Sequence, residues 1–428
     1  MARYLYSAVL YLISPLFIVY LLWRSRRAPA YRERWAERFG FYELKPEKPP
    51  IWVHAVSVGE AQAAVPLIDK LRERYPGHPV LVTTTTPTGS ARVREALGDE
   101  VMHVYAPYDL PGAVGRFLNR MQPVMAIIME TEIWPNIFYH CAQRKIPTML
   151  ANARMSARSA AGYRKLGKFM QGVMGSIDVV AAQSQDDAAR LISLGVKPAH
   201  MHIIGSVKFD VYIPASLKEQ AEVLRRDWGV GRSIWIAAST RQGEEESVLD
   251  AYAQVKHAQP DALLVLVPRH PERFDGVASL CEKRGFNLVR RSEHRGCDSD
   301  TDIYLGDSMG ELPLFYAASD VAFIGGSLVP AGGQNPIEAA ALGLPIIIGP
   351  SFYNFTEVGR MLREDEAVCV VKDSEQLAAM VLDCFRDPNL RHQRGENARG
   401  VVERNRGAME KLLKLIDQTG LSQNQQLP

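Results

Sequence analysis

The chain has 428 residues, 47% hydrophobic and 23% charged, and its 50 Lys and Arg against 48 Asp and Glu give a formal net charge of +2. This composition excludes a disordered tail, a collagen-like repeat and a disulfide-stapled mini-protein, and the length calls for two or three domains. The average hides a local excess: residues 24–38 hold six Arg and two Glu, a local +4 that leaves −2 for everything else.

That excess follows twenty uncharged residues, Tyr4 to Trp23. At about 1.5 Å per helical residue, such a helix matches the roughly 30 Å hydrocarbon core of a bilayer. Tyr4, Tyr6, Tyr20 and Trp23 lie near its ends, where amphipathic rings suit the headgroup boundary. No small-residue cleavage site follows, which argues against a removable signal peptide. Pro15 and the ring content weigh against a full span relative to an in-plane anchor, and the sequence leaves the two open. The Arg after the segment favour a cytoplasmic body. The five cysteines are odd in number and lack Cys-x-x-Cys spacing, which fits that compartment.

After a Pro-rich hinge at 45–50, short apolar runs alternate with amphipathic stretches. The first set lies at 51–56, 80–84, 101–105, 124–129, 147–151, 177–182 and 201–205; the second at 233–238, 263–267, 286–290, 302–305, 320–325, 344–348 and 367–371. Near-continuous apolar runs are what strands buried on both faces require, so two parallel, doubly wound α/β domains facing a cleft are predicted. The expected division is 1–23 anchor, 24–50 basic segment and hinge, 51–217 first domain, 218–400 second domain, and 401–428 a helix crossing back and a tail. Ligands of such sheets lie beyond the carboxyl ends of the strands.

Three strand–turn–helix junctions share one pattern: Ser57-Val58-Gly59-Glu60, Ser308-Met309-Gly310-Glu311 and Asn335-Pro336-Ile337-Glu338. Each reads as a capping box, with Glu three positions after the cap, and glycine beside Glu60 and Glu311 also permits a ligand to approach the backbone. The third follows Gly325-Gly326-Ser327 and Gly332-Gly333-Gln334, a supply of glycine that suits a nucleotide phosphate. Neither half opens with Gly-x-Gly-x-x-Gly after its first strand, which argues against a dinucleotide dehydrogenase. Asp298-Ser299-Asp300 and Asp300-Thr301-Asp302 spell Asp-x-Asp in a polar loop, and no metal site is expected there.

Together with Ala28 to Gly40, Trp52 to Glu60, Glu130-Thr131-Glu132-Ile133-Trp134-Pro135-Asn136, Gly205 to Asp210 and Pro268-Arg269-His270-Pro271, these junctions resemble the Kdo transferases, membrane-anchored enzymes of lipopolysaccharide assembly. The resemblance implies a GT-B fold. It also implies transfer of 3-deoxy-D-manno-octulosonic acid (Kdo) from CMP-Kdo to a lipid A precursor, lipid IVA, at the bacterial inner membrane. The first domain would then bind the acceptor and the second the CMP-sugar. By the same resemblance Glu60 is the general base, with Glu130 and Lys208 supporting the transition state. The CMP site comprises Pro268, Arg269, Met309, Gly310, Glu311, Asn335, Pro336, Ile337 and Glu338. CMP-Kdo is a substrate, so no cofactor is expected; the other partners are the lipid A precursor and the phospholipid surface, with no nucleic acid. The basic segment 24–38 and a second one, from Arg154 to Lys168, would face phosphorylated lipid. Two alternatives remain open: another GT-B enzyme such as a nucleotide-sugar 2-epimerase, and a membrane-tethered nucleotide-binding module without catalysis.

Overall fold

The computed structural model describes residues 2–26 and 28–421. The chain forms two units: the first runs to Asp210 and resumes at Arg406, and the second is Val211–Asn405.

The first unit is built on strands β1 (Ile51–His54), β2 (Val80–Thr84), β3 (Met102–Tyr105), β4 (Met125–Met129), β5 (Thr148–Ala153), β6 (Val179–Ala182) and β7 (Met201–Ile203). They pair in parallel in the order β3-β2-β1-β4-β5-β6-β7. Alternation along β1 sends Trp52 into one apolar layer and Ile51 and Val53 into the other. Both faces are covered, which is why the runs read as continuously apolar.

The second unit repeats the plan with β8 (Ile234–Thr240), β9 (Leu263–Pro268), β10 (Leu288–Arg290), β11 (Ile303–Leu305), β12 (Val321–Ile324), β13 (Ile346–Ile348) and β14 (Val368–Val370). Its order is β10-β11-β9-β8-β12-β13-β14, again parallel throughout. Every apolar run of the sequence coincides with a strand.

The final amphipathic stretch differs from expectation. Residues 401–416 are not one element: helix Pro388–Asn405 closes the second unit, and helix Ala408–Ile416 starts afresh. Leu412, Leu413 and Ile416 of that last helix pack into the first unit's core. The Asp210 carboxylate accepts from Gly407 N and Met409 N, both at 2.6 Å. A side chain from the point where the chain leaves the first unit thus caps the helix by which it returns.

At the other end, helix Ala2–Ser25 runs through Pro15 unbroken. Proline cannot donate to the Tyr11 carbonyl four residues earlier, and Ser14 Oγ donates to that carbonyl instead, at 2.8 Å. By length and composition the helix is a candidate membrane anchor. The basic segment 24–38, expected to face phosphorylated lipid, is exposed only in part. Arg38 is buried, donates to Thr85 O and stacks 4.1 Å from the Tyr105 ring centroid. Arg34 pairs with Glu37 and donates to His103 O. Arg24, Arg26 and Arg32 remain exposed, and Arg27 lies outside the described residues.

Candidate functional site

In the first unit, β1 ends at the turn before helix Val58–Arg74. Ser57 Oγ accepts from Glu60 N at 3.3 Å and donates to Glu60 Oε1 at 2.9 Å, while Val56 N donates to Oε2 at 2.8 Å. This is a reciprocal capping box, and it holds the Glu60 carboxylate in one orientation. Burial raises the Glu60 pKa; the hydrogen bonds from Ser57 and Val56 pull it back, and the Glu130 charge raises it.

Glu130 follows β4 in the left-handed backbone region, at φ +54°, which costs a non-glycine residue about 1 kcal/mol. It is only 6% exposed and holds two cations, Arg154 Nε at 2.9 Å and Lys208 Nζ at 3.3 Å. Lys208 sits on a single turn, Val207–Phe209, whose first N–H donates to Asn152 Oδ1. The three sequence-selected residues are therefore near one another: Lys208 pairs with Glu130, and the Glu130 charge is felt by Glu60. Glu132 joins them, its pKa raised by burial and by Glu60, with Trp134 Nε1 donating to it at 2.7 Å. His54 is fully buried; burial pushes its pKa down to about 3, so the ring is neutral, and its Nδ1 lies 2.8 Å from Thr83 Oγ1.

The other two junctions are not capping boxes. Helix Leu312–Ala317 begins after Glu311, not after Ser308. Glu311 takes Arg291 Nη2 at 2.7 Å together with the Ser308 hydroxyl, and the Arg291 bond holds its pKa below the ordinary range. In the third, the helix starts at Ile337 with Pro336, not Asn335, at the cap position; Asn335 Oδ1 accepts from Ile337 N at 3.1 Å, and Glu338 returns no bond to Asn335. Burial raises the Glu338 pKa, and Arg269, next after β9, is the opposing charge. Glycine also differs between junctions. A Cβ would find room at both Gly59 and Gly310, but Gly310 has φ +84°, a left-handed conformation that Gly59 does not adopt.

Pro268 ends β9, and Arg269 N continues the ladder to Thr240 O at 3.1 Å. At these strand ends, within the second unit, lies an open cavity of about 710 Å³ lined by Arg241, His270, Arg273, Val329 and Pro330, among others. Arg241 Nη1 is 2.6 Å from His270 Nε2. Burial and the Arg241 charge lower the His270 pKa. Glu272 also lines the cavity and Arg273 is paired with Glu245, so Arg241 is the cation it presents to a phosphate or carboxylate beside the glycine-rich loop.

Glu244 shapes that loop, and sequence reasoning passed over it. Its fully buried carboxylate accepts from Gly326 N at 2.6 Å, Ser327 N at 3.0 Å, Leu328 N at 2.9 Å and Arg241 N at 3.2 Å. The available signal was a Glu run, Glu244 to Glu246, beginning four residues after the end of a buried strand. The Asp-x-Asp spellings resolve otherwise: Asp302 is buried, paired with Lys256 and accepting from Asn287 N at 3.0 Å. Asp298 and Asp300 are exposed.

Residues 33–211 match the family described as 3-deoxy-D-manno-octulosonic-acid transferase (kdotransferase), and residues 241–401 match glycosyl transferases group 1. A 3-deoxy-D-manno-octulosonic acid transferase of Haemophilus influenzae is 42% identical over 97% of this chain and 98% of its own length. One from Bordetella pertussis is 36% identical over 97% and 99%. Among solved structures, UDP-GlcNAc 2-epimerase from Neisseria meningitidis superposes with a TM-score of 0.58 over 87% of this chain and 100% of that one; at 13% identity this shows the fold alone. The chain belongs to the Kdo transferases, glycosyltransferases made of two parallel-sheet Rossmann-like domains of the GT-B type.

Proposed function

We propose that this Kdo transferase moves Kdo from CMP-Kdo to the lipid A precursor lipid IVA, at the cytoplasmic face of a bacterial inner membrane. The observation that carries the reading is the Glu60 carboxylate. It is oriented by the Val56 N–H and the Ser57 hydroxyl, and burial lifts its pKa toward the range in which a carboxylate accepts a proton readily. In this reading an acceptor sugar hydroxyl attacks the anomeric carbon of Kdo, the bond to the CMP phosphate breaks, and Glu60 takes the hydroxyl proton as the new bond forms.

Glu60, Glu130 and Glu132 with Arg154 and Lys208 sum to one net negative charge, so stabilising the anion that develops on the leaving phosphate falls to Lys208 and Arg154 individually. Glu130 is thus a positioning residue for Lys208. On the donor side, Pro268 and Arg269, the turn Met309–Glu311 and residues Asn335–Glu338 hold CMP, with Glu338 accepting from ribose hydroxyls. Displacement is direct and draws on the chain's own cations.

The test is transfer from CMP-Kdo to tetraacylated lipid A precursor by wild type, Glu60→Ala and Lys208→Ala. Transfer by wild type and its loss in Glu60→Ala, with CMP still bound, support the reading. Wild-type turnover in Glu60→Ala removes Glu60 as the base. CMP binding without any wild-type turnover would mean a nucleotide-binding module.

A further inference from the structure

Helix Ala2–Ser25 is about 36 Å long at 1.5 Å per residue, and one stripe of it lies against the first unit from end to end. Near its start Tyr6 OH donates to Asp109 Oδ2 at 2.9 Å, and Ser7 Oγ donates to Asn136 Oδ1 at 3.1 Å. Gly112 N donates to Tyr11 OH at 2.9 Å. Further along, the Phe17 ring stacks 4.7 Å from Tyr108, and Leu21 is buried. The partners are firmly placed: Asp109 also accepts from Asn136 N and Ile137 N, capping helix Pro135–Gln143. That helix directly follows Glu130 and Glu132, so the clasp grips the element that leaves the candidate site.

The opposite face is apolar and open. Leu5, Val9, Leu12, Leu16, Val19 and Trp23 recur at helical spacing and are all exposed, Leu12 by 80%. No charged residue interrupts them. A continuous apolar strip of this length is more than a soluble monomer ordinarily presents to water. Exposed cations stand at both ends. Arg164, Lys165 and Lys168 adjoin Phe169, whose ring lies 5.5 Å from Tyr6, and Arg24, Arg26 and Arg32 stand at the other end. Cations flanking an apolar strip complement an anionic lipid surface.

A helix crossing the bilayer while docked in this way would draw Asp109, Asn136 and the rest of its polar seat into hydrocarbon, where such groups are costly. We propose that helix Ala2–Ser25 does not cross: it stays seated on the first unit and inserts its Leu5–Trp23 face into one leaflet of an anionic phospholipid bilayer. The proposal rests on the membrane reading above and specifies its geometry.

Depth measurement on the full chain tests it. Spin labels are placed singly at Leu5→Cys, Leu12→Cys and Val19→Cys, the unsubstituted chain supplies the background of native cysteines, and oxygen and nickel accessibilities are read on phosphatidylethanolamine–phosphatidylglycerol vesicles. Equal, shallow depths at the three positions are expected, together with at least a tenfold loss of vesicle co-sedimentation in Leu12→Glu. A maximum at Leu12, with Leu5 and Val19 near opposite surfaces, overturns the proposal in favour of a span. No lipid contact at any label also overturns it, as does concentration-dependent self-association that covers all three. Because the readout is depth, equal depths in a chain inactive with CMP-Kdo still support the in-plane helix while refuting the transfer reaction.

Discussion

Glu60 and Glu338 occupy equivalent junctions, each three residues after a cap-type side chain in the first turn of a helix at a parallel strand's carboxyl end. Their surroundings differ. Glu60 accepts from Val56 N and Ser57 Oγ, so its carboxylate is held by its own junction. At Glu338 the helix is capped by Pro336, Asn335 Oδ1 accepts from Ile337 N, and the carboxylate faces the Arg269 charge. A held carboxylate suits proton transfer, because its orientation precedes substrate. An acceptor whose bonds are not taken up locally suits a ligand's hydroxyl groups. Glu311, a third version, is already neutralised by Arg291, which suits a structural turn that presents Met309 and Gly310.

The comparison can be broken at its strongest point first. Glu60→Ala is expected to lower kcat about 10³-fold, the usual scale of general base catalysis, while loss of the bonds it accepts from Val56 N and Ser57 Oγ costs only about 1 kcal/mol in urea denaturation; an effect on kcat under tenfold removes the distinction between the two carboxylates. Glu244→Ala strips the acceptor from four backbone N–H groups and is expected to cost about 3 kcal/mol of stability, read by urea denaturation. Retention of full stability would show that the glycine-rich loop does not depend on this carboxylate. Glu338→Gln keeps the shape and removes the charge. It is expected to raise KM for the CMP-sugar about tenfold, the scale of one charge-assisted hydrogen bond, with kcat nearly unchanged; a fall in kcat alone would move Glu338 into the chemical step.

The smallest effect is in the pH profile. The ionised form of Glu60 is the base, and its pKa is raised, so transfer falls as pH drops through that raised value. Ser57→Ala removes a bond that lowers this pKa and is expected to move the acid limb to higher pH. Glu130→Gln removes a charge that raises it and is expected to move the limb lower. Shifts in the same direction for both would disconnect the limb from Glu60. The same raised pKa has a stability consequence of opposite sense to a salt-bridged carboxylate. Its contribution favours the folded state as pH falls through the folded-state value toward the unfolded one, and is lost as pH rises.

Much of the architecture was legible because burial on both sheet faces forces long apolar runs, a pattern local to each strand. The candidate residues of the first unit were legible too, as polar side chains just past those runs. The remote caps were not. Asp109, Asp210 and Glu244 look like ordinary acidic residues, since the N–H groups they satisfy come from segments 27, 197 and 82 residues away in sequence. Arg34 and Arg38 were misread for the same reason: their partners His103, Thr85 and Tyr105 lie on distant strands and turns.

The amino-acid order by itself determined two parallel α/β domains, an apolar N-terminal helix and the strand ends where chemistry sits, because periodicity and capping are set by neighbours in the chain. It could write three junctions alike. Only the tertiary structure decided their separate roles and seated the helix on Asp109 and Asn136, because orientation, burial and charge at a side chain depend on which distant groups the packed sheets bring to it.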